Sequence, residues 1–225
     1  MRRAMVGWLS VVIAFTGITI GRGDEAEDLE KLRKALTTAM AKLDTAANRD
    51  MRAYFKSRDI MYKVVDEFVT KLRPKTGVKT YKSPSGDFVL VIGANGASTA
   101  EAGAQASASD EEASLVVAIG GDGGPVGNAR TGGAGGAAQA QSAKGIAIAL
   151  AGRGGFGGGG GGGGGAKGKI GSVGFGGAGG ASSGVAAEGG AGGGSGISDV
   201  SALRNGLTGI KEKSADDQNQ KPLKK

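Results

Sequence analysis

The residues best placed to do chemistry in this chain are two glycine loops, each lying directly behind an apolar run. Val89-Leu90-Val91-Ile92 leads into Gly93-Ala94-Asn95-Gly96, and Leu115-Val116-Val117-Ala118-Ile119 leads into Gly120-Gly121-Asp122-Gly123-Gly124. Glycines behind a strand let backbone amides approach a phosphate closely, so both loops are candidates for nucleotide binding. A third candidate is the box Arg153-Gly154-Gly155-Phe156, because guanidinium groups on a glycine backbone bind RNA when the box is repeated. It occurs as a single copy, so nucleic acid is not the expected partner. The remaining options are few. Cysteine and histidine are absent, which removes thiol nucleophiles, disulfides, histidine acid–base chemistry and the usual zinc and haem ligands. Asp and Glu remain for hydrolysis or calcium binding, but both uses need a rigid pocket. Large apolar residues are too scarce after Gly93 to promise one, so no catalytic, cofactor or metal residue is assigned and the chain reads as a non-enzyme.

The first loop resembles the opening strand and turn of the Rossmann domain in nicotinamide-dependent short-chain dehydrogenases, over about ten residues. That resemblance implies dinucleotide binding. Thr99 stands where the third glycine belongs, however, residues 100–110 lack a helix face, and Asp110, Glu111 and Glu112 precede a second apolar run instead of following it. The second loop resembles the Gly-Gly-Asp-Gly phosphate loop of NAD kinases and diacylglycerol kinases. Here Gly124-Pro125 and then Gly132-Gly133-Ala134-Gly135-Gly136 follow, which supply no helix N-terminus to receive a phosphate. A simpler reading takes 88–97, 115–124 and 146–155 as degenerate repeats of about thirty residues, each an apolar strand ending in a glycine turn. In Ile146-Ala147-Ile148-Ala149-Leu150 large residues alternate with alanine, so the repeats can stack as a thin β-layer or solenoid, or pair as polyglycine-like strands. The Ala/Ser/Gln-rich stretches 102–109 and 137–143 separate them.

Something must position these segments. Residues 1–23 have the layout of a secretory signal or an uncleaved anchor: Arg2 and Arg3, an apolar stretch over 4–20, and Gly21-Arg22-Gly23 before the first acids. This makes a membrane partner conceivable through the leader and gives the address as secreted, cell surface or periplasm. Residues 24–73 contain neither glycine nor proline. Leu29, Leu32, Leu36, Met40, Leu43, Met51, Tyr54, Met61, Val65, Phe68 and Leu72 recur there at the helix period. Asp24 and Glu27 suit the start, and Pro74 and Gly77 suit the stop. One helix of this length runs about 75 Å and needs a second surface. A coiled coil or bundle, a hairpin folded back at 48–50, and adhesion to a membrane are the three ways to provide it. Residues 74–87 read as a linker.

Residues 93–196 hold most of the 47 glycines, including an unbroken run over 157–165. Ordering a glycine backbone costs more than ordering any other residue, and no side chain is buried in return. Residues 157–196 therefore read as low complexity, and 197–225 as a polar tail with a brief helix around Val200, Leu203 and Leu207. Gly176-Gly177-Ala178-Gly179-Gly180 and Gly189-Gly190-Ala191-Gly192-Gly193 resemble, in composition, the units of glycine-rich secreted surface and structural proteins such as silk-like and mycobacterial repeat proteins. The net charge of +7 is spread along the chain and points to no particular partner. The expected fold is α plus low complexity: one long amphipathic helix or a two-helix hairpin (24–73), short β-strand repeats (88–156), and a largely irregular or disordered glycine-rich remainder. The expected function is an exported, non-enzymatic structural or surface-associated protein that assembles as a homo-oligomer or envelope component through its helix and backbone pairing. The alternative is an extracellular binding module with a polysaccharide, ice or mineral face, and a nucleotide-binding enzyme ranks behind both.

Overall fold

The computed structural model describes residues 18–20, 23–47, 49–98, 100–125, 132–157 and 159–180. The expectations for the leader before residue 18, for Thr99, for the glycine units after 180 and for the tail lie outside the described residues. Nine strands and two helices are present among the described residues: β1 (Ile18–Ile20), α1 (Gly23–Ala41), α2 (Met51–Phe68), β2 (Val78–Lys82), β3 (Phe88–Gly93), β4 (Ala106–Asp110), β5 (Leu115–Ile119), β6 (Ala138–Ser142), β7 (Ile146–Leu150), β8 (Gly164–Gly168) and β9 (Gly171–Phe175). Six strands form one mixed sheet in the order β1-β2-β3-β5-β7-β9, and three form a parallel sheet in the order β4-β6-β8. This α/β fold corrects the expectation of a helix-dominated chain with an irregular, disordered glycine half. β1 pairs in parallel with β2 through Ile18–Thr80 and Ile20–Lys82.

The apolar stripe is divided between two helices instead of running through one. Asp50 stands in extended conformation and caps α2, its carboxylate accepting from the Arg52 amide, while Asp44 accepts from the Ala46 amide in the connection. Backbone bonds from Lys42 and Leu43 to Ala39 and Met40 close α1, and the two short polar side chains shape the connection and start α2, which the apolar period could not reveal. Both helices lie on one face of the six-stranded sheet. Leu29, Leu32, Leu36, Met40, Leu43, Met61, Val65 and Leu72 are buried together with Phe88, Leu90, Ile92, Leu115, Val117, Ile148, Leu150, Val173 and Phe175 of the strands. The coiled coil is thereby corrected: the second surface is the chain's own sheet. At about 1.5–3 kcal/mol for each large apolar side chain buried, this layer is the main hydrophobic contribution to stability.

Alternation along the strands sends the other residues to the opposite face, where the three-stranded sheet packs. That inner layer contains Val89, Val91 and Val116, and otherwise alanines such as Ala106, Ala108, Ala118, Ala138, Ala140, Ala147 and Ala149. Small side chains let facing strands bring Cα atoms within 8 Å of each other, closer than the roughly 10 Å of ordinary stacked sheets. The chain climbs through the two sheets as a solenoid. Phe88, Leu115, Ile146 and Gly171 align in one sheet, and Ala106, Ala138 and Gly164 align in the other. At one end of each coil the turns are held by side chains: Asp110 accepts from the Glu112 and Ala113 amides, and the Ser142 hydroxyl accepts from the Gly145 amide and donates to the Ala113 carbonyl.

At the other end the strands continue as glycine segments that are ordered by main-chain pairing. The amides of Gly120 and Gly123 donate to Leu150 and Arg153, and those of Gly121 and Gly124 donate to Ala104 and Glu101. Gly133 and Gly136 donate to Gly124 and Gly121, Gly152 and Gly155 to Gly136 and Gly133, and Gly177 and Gly180 to Gly162 and Gly159. Each neighbour is met again after three residues, which is the period of the polyproline II helix, whose backbone groups all point outward and are free to bond sideways. Segments leaving the six-stranded sheet form one layer, and those returning to the three-stranded sheet form a second, antiparallel layer. Glycine is required by proximity. A Cβ on Gly121 would lie 1.7 Å from the Ala94 oxygen, and one on Gly103 would lie 1.8 Å from the Gly121 oxygen. The only described glycines with positive φ are Gly77, Gly86 and Gly157, which sit outside this lattice or at its turn. The run at 157–165 is thus structured where it is described, with Gly159 and Gly162 pairing to Gly155 and Gly152. Backbone bonds to several neighbours offset the ordering entropy that side chains cannot.

Candidate binding face

The outward face of the three-stranded sheet follows from the same alternation. Ala106 and Ala108 of β4 and Ala138 and Ala140 of β6 point inward, so Ser107, Ser109, Gln139 and Gln141 point to solvent. On β8 the exposed positions are Gly165 and Lys167. Parallel register sets these in two ranks across the sheet, Ser107–Gln139–Gly165 and Ser109–Gln141–Lys167. Strand spacing puts neighbours in a rank about 4.8 Å apart, and the ranks lie about 6.6 Å from one another along the strands. They line an open depression of about 620 Å³. The surface offers hydroxyls and carboxamides, each able to donate and accept, with one ammonium at its edge. Acids stand at and just beyond the end of β4, where Asp110 pairs with Lys82 at 3.1 Å and Glu112 pairs with Lys144.

The sequence-derived candidates are placed differently. In the second glycine loop the amides of Gly120, Gly121, Asp122, Gly123 and Gly124 donate to Leu150 O, Ala104 O, Asn95 Oδ1, Arg153 O and Glu101 O, at 2.8–2.9 Å. All five donors that a phosphate would need are engaged within the protein. In the first loop the amides of Ala94 and Gly96 donate to Gly77 and Asp122. Arg153 of the Arg-Gly-Gly box lies over the Tyr62 ring, 4.8 Å from its centroid, and grips both carboxylate oxygens of Asp66 at 2.8 Å. Burial opposes its charge, but the bond to Asp66 prevails, and its pKa stands above the usual arginine value. Among the helix residues proposed as an interface, eight are buried against the sheet, Tyr54 and Phe68 are half-buried beside it, and Met51 is exposed at 65%. Tyr54 packs edge-on against Phe175 of β9.

A second polar cluster sits where α2 meets the glycine layers. Arg73 donates from Nη1 to the carbonyls of Gly93 (2.8 Å) and Gly120 (3.3 Å), the two points at which strands pass into glycine segments. Burial lowers its pKa from the ordinary value. The Tyr62 hydroxyl donates to the Ala151 carbonyl at the equivalent point of the next coil, and burial raises its pKa. These side chains clamp the junction. Arg73→Met should lower stability by about 1–3 kcal/mol, the usual cost of leaving buried acceptors without their charged donor. Urea titration followed by circular dichroism measures it, and an unchanged midpoint would mean that the clamp is idle. Among the described residues no group of three or more Asp or Glu side chains is placed to hold a metal ion.

Comparison with known proteins adds no function to this geometry. No family model matches the chain, and no curated protein or solved structure matches it either.

The face itself was missed in the sequence because 102–109 and 137–143 read as separators. The signal was present in Ala106-Ser107-Ala108-Ser109 and Ala138-Gln139-Ala140-Gln141, two strict alternations of small inward and polar outward residues.

Proposed function

We propose that this protein is a non-enzymatic binding module whose three-stranded sheet lies against an extended, hydroxyl-rich polymer, with an envelope or matrix polysaccharide as the class that fits best. The observation that carries this reading is the pair of exposed ranks along an open depression, Ser107–Gln139–Gly165 and Ser109–Gln141–Lys167. Hydroxyl and carboxamide groups match sugar hydroxyls as donors and acceptors, and repetition across strands suits a repeating ligand. The glycine lattice supports it mechanically, since main-chain bonds running through two layers brace the ends of the strands. The engaged amides of the glycine loops favour binding over nucleotide chemistry. Regular Thr or Asn ranks, which an ice face would call for, do not occur on these strands. Eight of the eleven stripe side chains are buried in the protein's own core, which favours a reading that does not depend on assembly through the helix.

Cosedimentation with insoluble cellulose, chitin and peptidoglycan tests the reading. Wild-type protein is expected in the pellet with at least one of them, and the variant Gln139→Ala/Gln141→Ala should bind about tenfold more weakly, a loss of two or more hydrogen bonds. Its circular dichroism should be unchanged, since both side chains are exposed. Wild type remaining in the supernatant with all three polymers, or the variant binding as well as wild type, overturns the proposal.

A further inference from the structure

On the side of the molecule away from the binding face, α1 and α2 leave a groove of about 630 Å³ between them. Its floor is apolar, formed by Ala35 and Ala39 of α1 and Ile60, Val64 and Phe68 of α2. The three α2 residues are only half-buried, although they pack against the core, so their outer surfaces remain open to solvent. Lys31, Lys34 and Lys42 line one wall, Lys63 the other, and Glu67 is the one carboxylate among the lining residues. Lys31 is held by Glu27 (2.6 Å) and touches Asp28, and Lys34 lies 3.9 Å from Glu30, whereas Lys42 and Lys63 are exposed and make no ion pair among the described residues.

We infer that this groove is a docking site for an acidic amphipathic helix of a partner protein. The chain folds back after α1, where the Asp44 amide donates to the Ser57 hydroxyl of α2 at 3.1 Å, and the lining on the α1 side runs from Lys31 to Lys42, a trough about 17 Å long. That accommodates three turns of helix. A third helix seated there completes a three-helix layer, its apolar residues at the i, i+3, i+4 and i+7 positions resting on Ile60, Val64 and Phe68. Ala35 and Ala39 lack bulk, which lets its backbone approach closely. Glutamates flanking that stripe face the lysines on both walls, and charge complementarity selects an acidic helix over a basic one. A membrane fits less well, because the groove is a narrow concavity between two convex helices, which receives a single helix and not a plane.

The test uses the full chain and a fluorescent helical peptide with leucines at the helix period flanked by glutamates, alongside its twin with lysine in place of every glutamate. Anisotropy should show the acidic peptide binding at least about tenfold more tightly than its twin, with the difference shrinking as salt is raised. Lys42→Glu/Lys63→Glu, whose positions are exposed, should reverse the preference. Val64→Glu should abolish binding of both peptides by putting a charge on the floor, and its circular dichroism melt reports whether it still folds. Should Val64→Glu not fold, the surface reversal alone decides. Equal binding of the two peptides, no binding of either, no reversal in the lysine variant, or tighter binding to phosphatidylserine vesicles than to the acidic peptide would each overturn the inference. Because the groove lies apart from the polymer face, loss of one activity with retention of the other distinguishes the two proposals.

Discussion

Gly121→Ala is expected to abolish cooperative folding, while Gly165→Ala is expected to leave it intact. A Cβ at 121 would stand 1.7 Å from the Ala94 oxygen and 2.5 Å from its carbon, and both are backbone atoms that cannot rotate away. Ala94 in turn accepts from Ala104, and the Gly121 amide donates to Ala104, so making room means breaking bonds in both layers at once. The cost should reach at least about 3 kcal/mol, the upper end of what overpacking costs in cores that can relax. Gly165 is exposed, has no atom within 4 Å of its virtual Cβ and does not have positive φ. Alanine there should be neutral or stabilising by about 0.4–1 kcal/mol through a less flexible unfolded chain. Urea unfolding of both variants reads the contrast. If Gly121→Ala melts like wild type, the glycine layers are not packed as described.

This contrast shows what the sequence disclosed and what it concealed. The apolar runs at 88, 115 and 146 announce strands because Val, Leu and Ile in short blocks bounded by glycine have few other uses. The glycine segments between them announce nothing. A polyglycine run that is solvated and one that is bonded to several neighbours have the same letters, and only the three-residue register of Gly120–Gly123 or Gly152–Gly155 pairs tells them apart. Entropy does disfavour order in an isolated glycine segment. Here the segments are not isolated, and amides such as those of Gly121, Gly136 and Gly152 carry main-chain partners that a reckoning of side chains leaves out. The helix stripe is the converse case. Its period was plain, but the period cannot say whether Leu36 and Met61 face a second chain or a sheet encoded later in the same one, and the start of α2 rests on one local hydrogen bond at Asp50. Of the binding face, the alternation in β4 and β6 was legible, while β8, with Gly164, Gly165 and Gly168, joins the sheet only because it is paired with β6.

The second large effect concerns the alanine layer. Ala149→Leu should destabilise the protein by about 3 kcal/mol or more, and Ile148→Leu, one residue away on the same strand, by less than about 1.5 kcal/mol. Ile148 faces the helices, where Leu, Met and Phe side chains on separate elements can shift to receive a changed shape. Ala149 faces the three-stranded sheet, where only small side chains separate the two sheets. Both sheets run on directly into the glycine layers: the Ala151 amide bonds to Phe175, and the Gly152 amide bonds to Gly136 across the layers. In that lattice carbonyl oxygens lie so close to glycine Cα atoms that a Cβ on Gly152 would meet the Gly121 oxygen at 1.7 Å, so opening the sheets to accept three more carbons should pull on the lattice behind them. Strain at 149 should therefore surface where no side chain was altered. Hydrogen exchange at the Gly152 and Gly155 amides is expected to accelerate in Ala149→Leu and to stay slow in Ile148→Leu. Slow exchange at both glycines in a destabilised Ala149→Leu would mean that the alanine layer sets its own spacing and that the glycine lattice follows it.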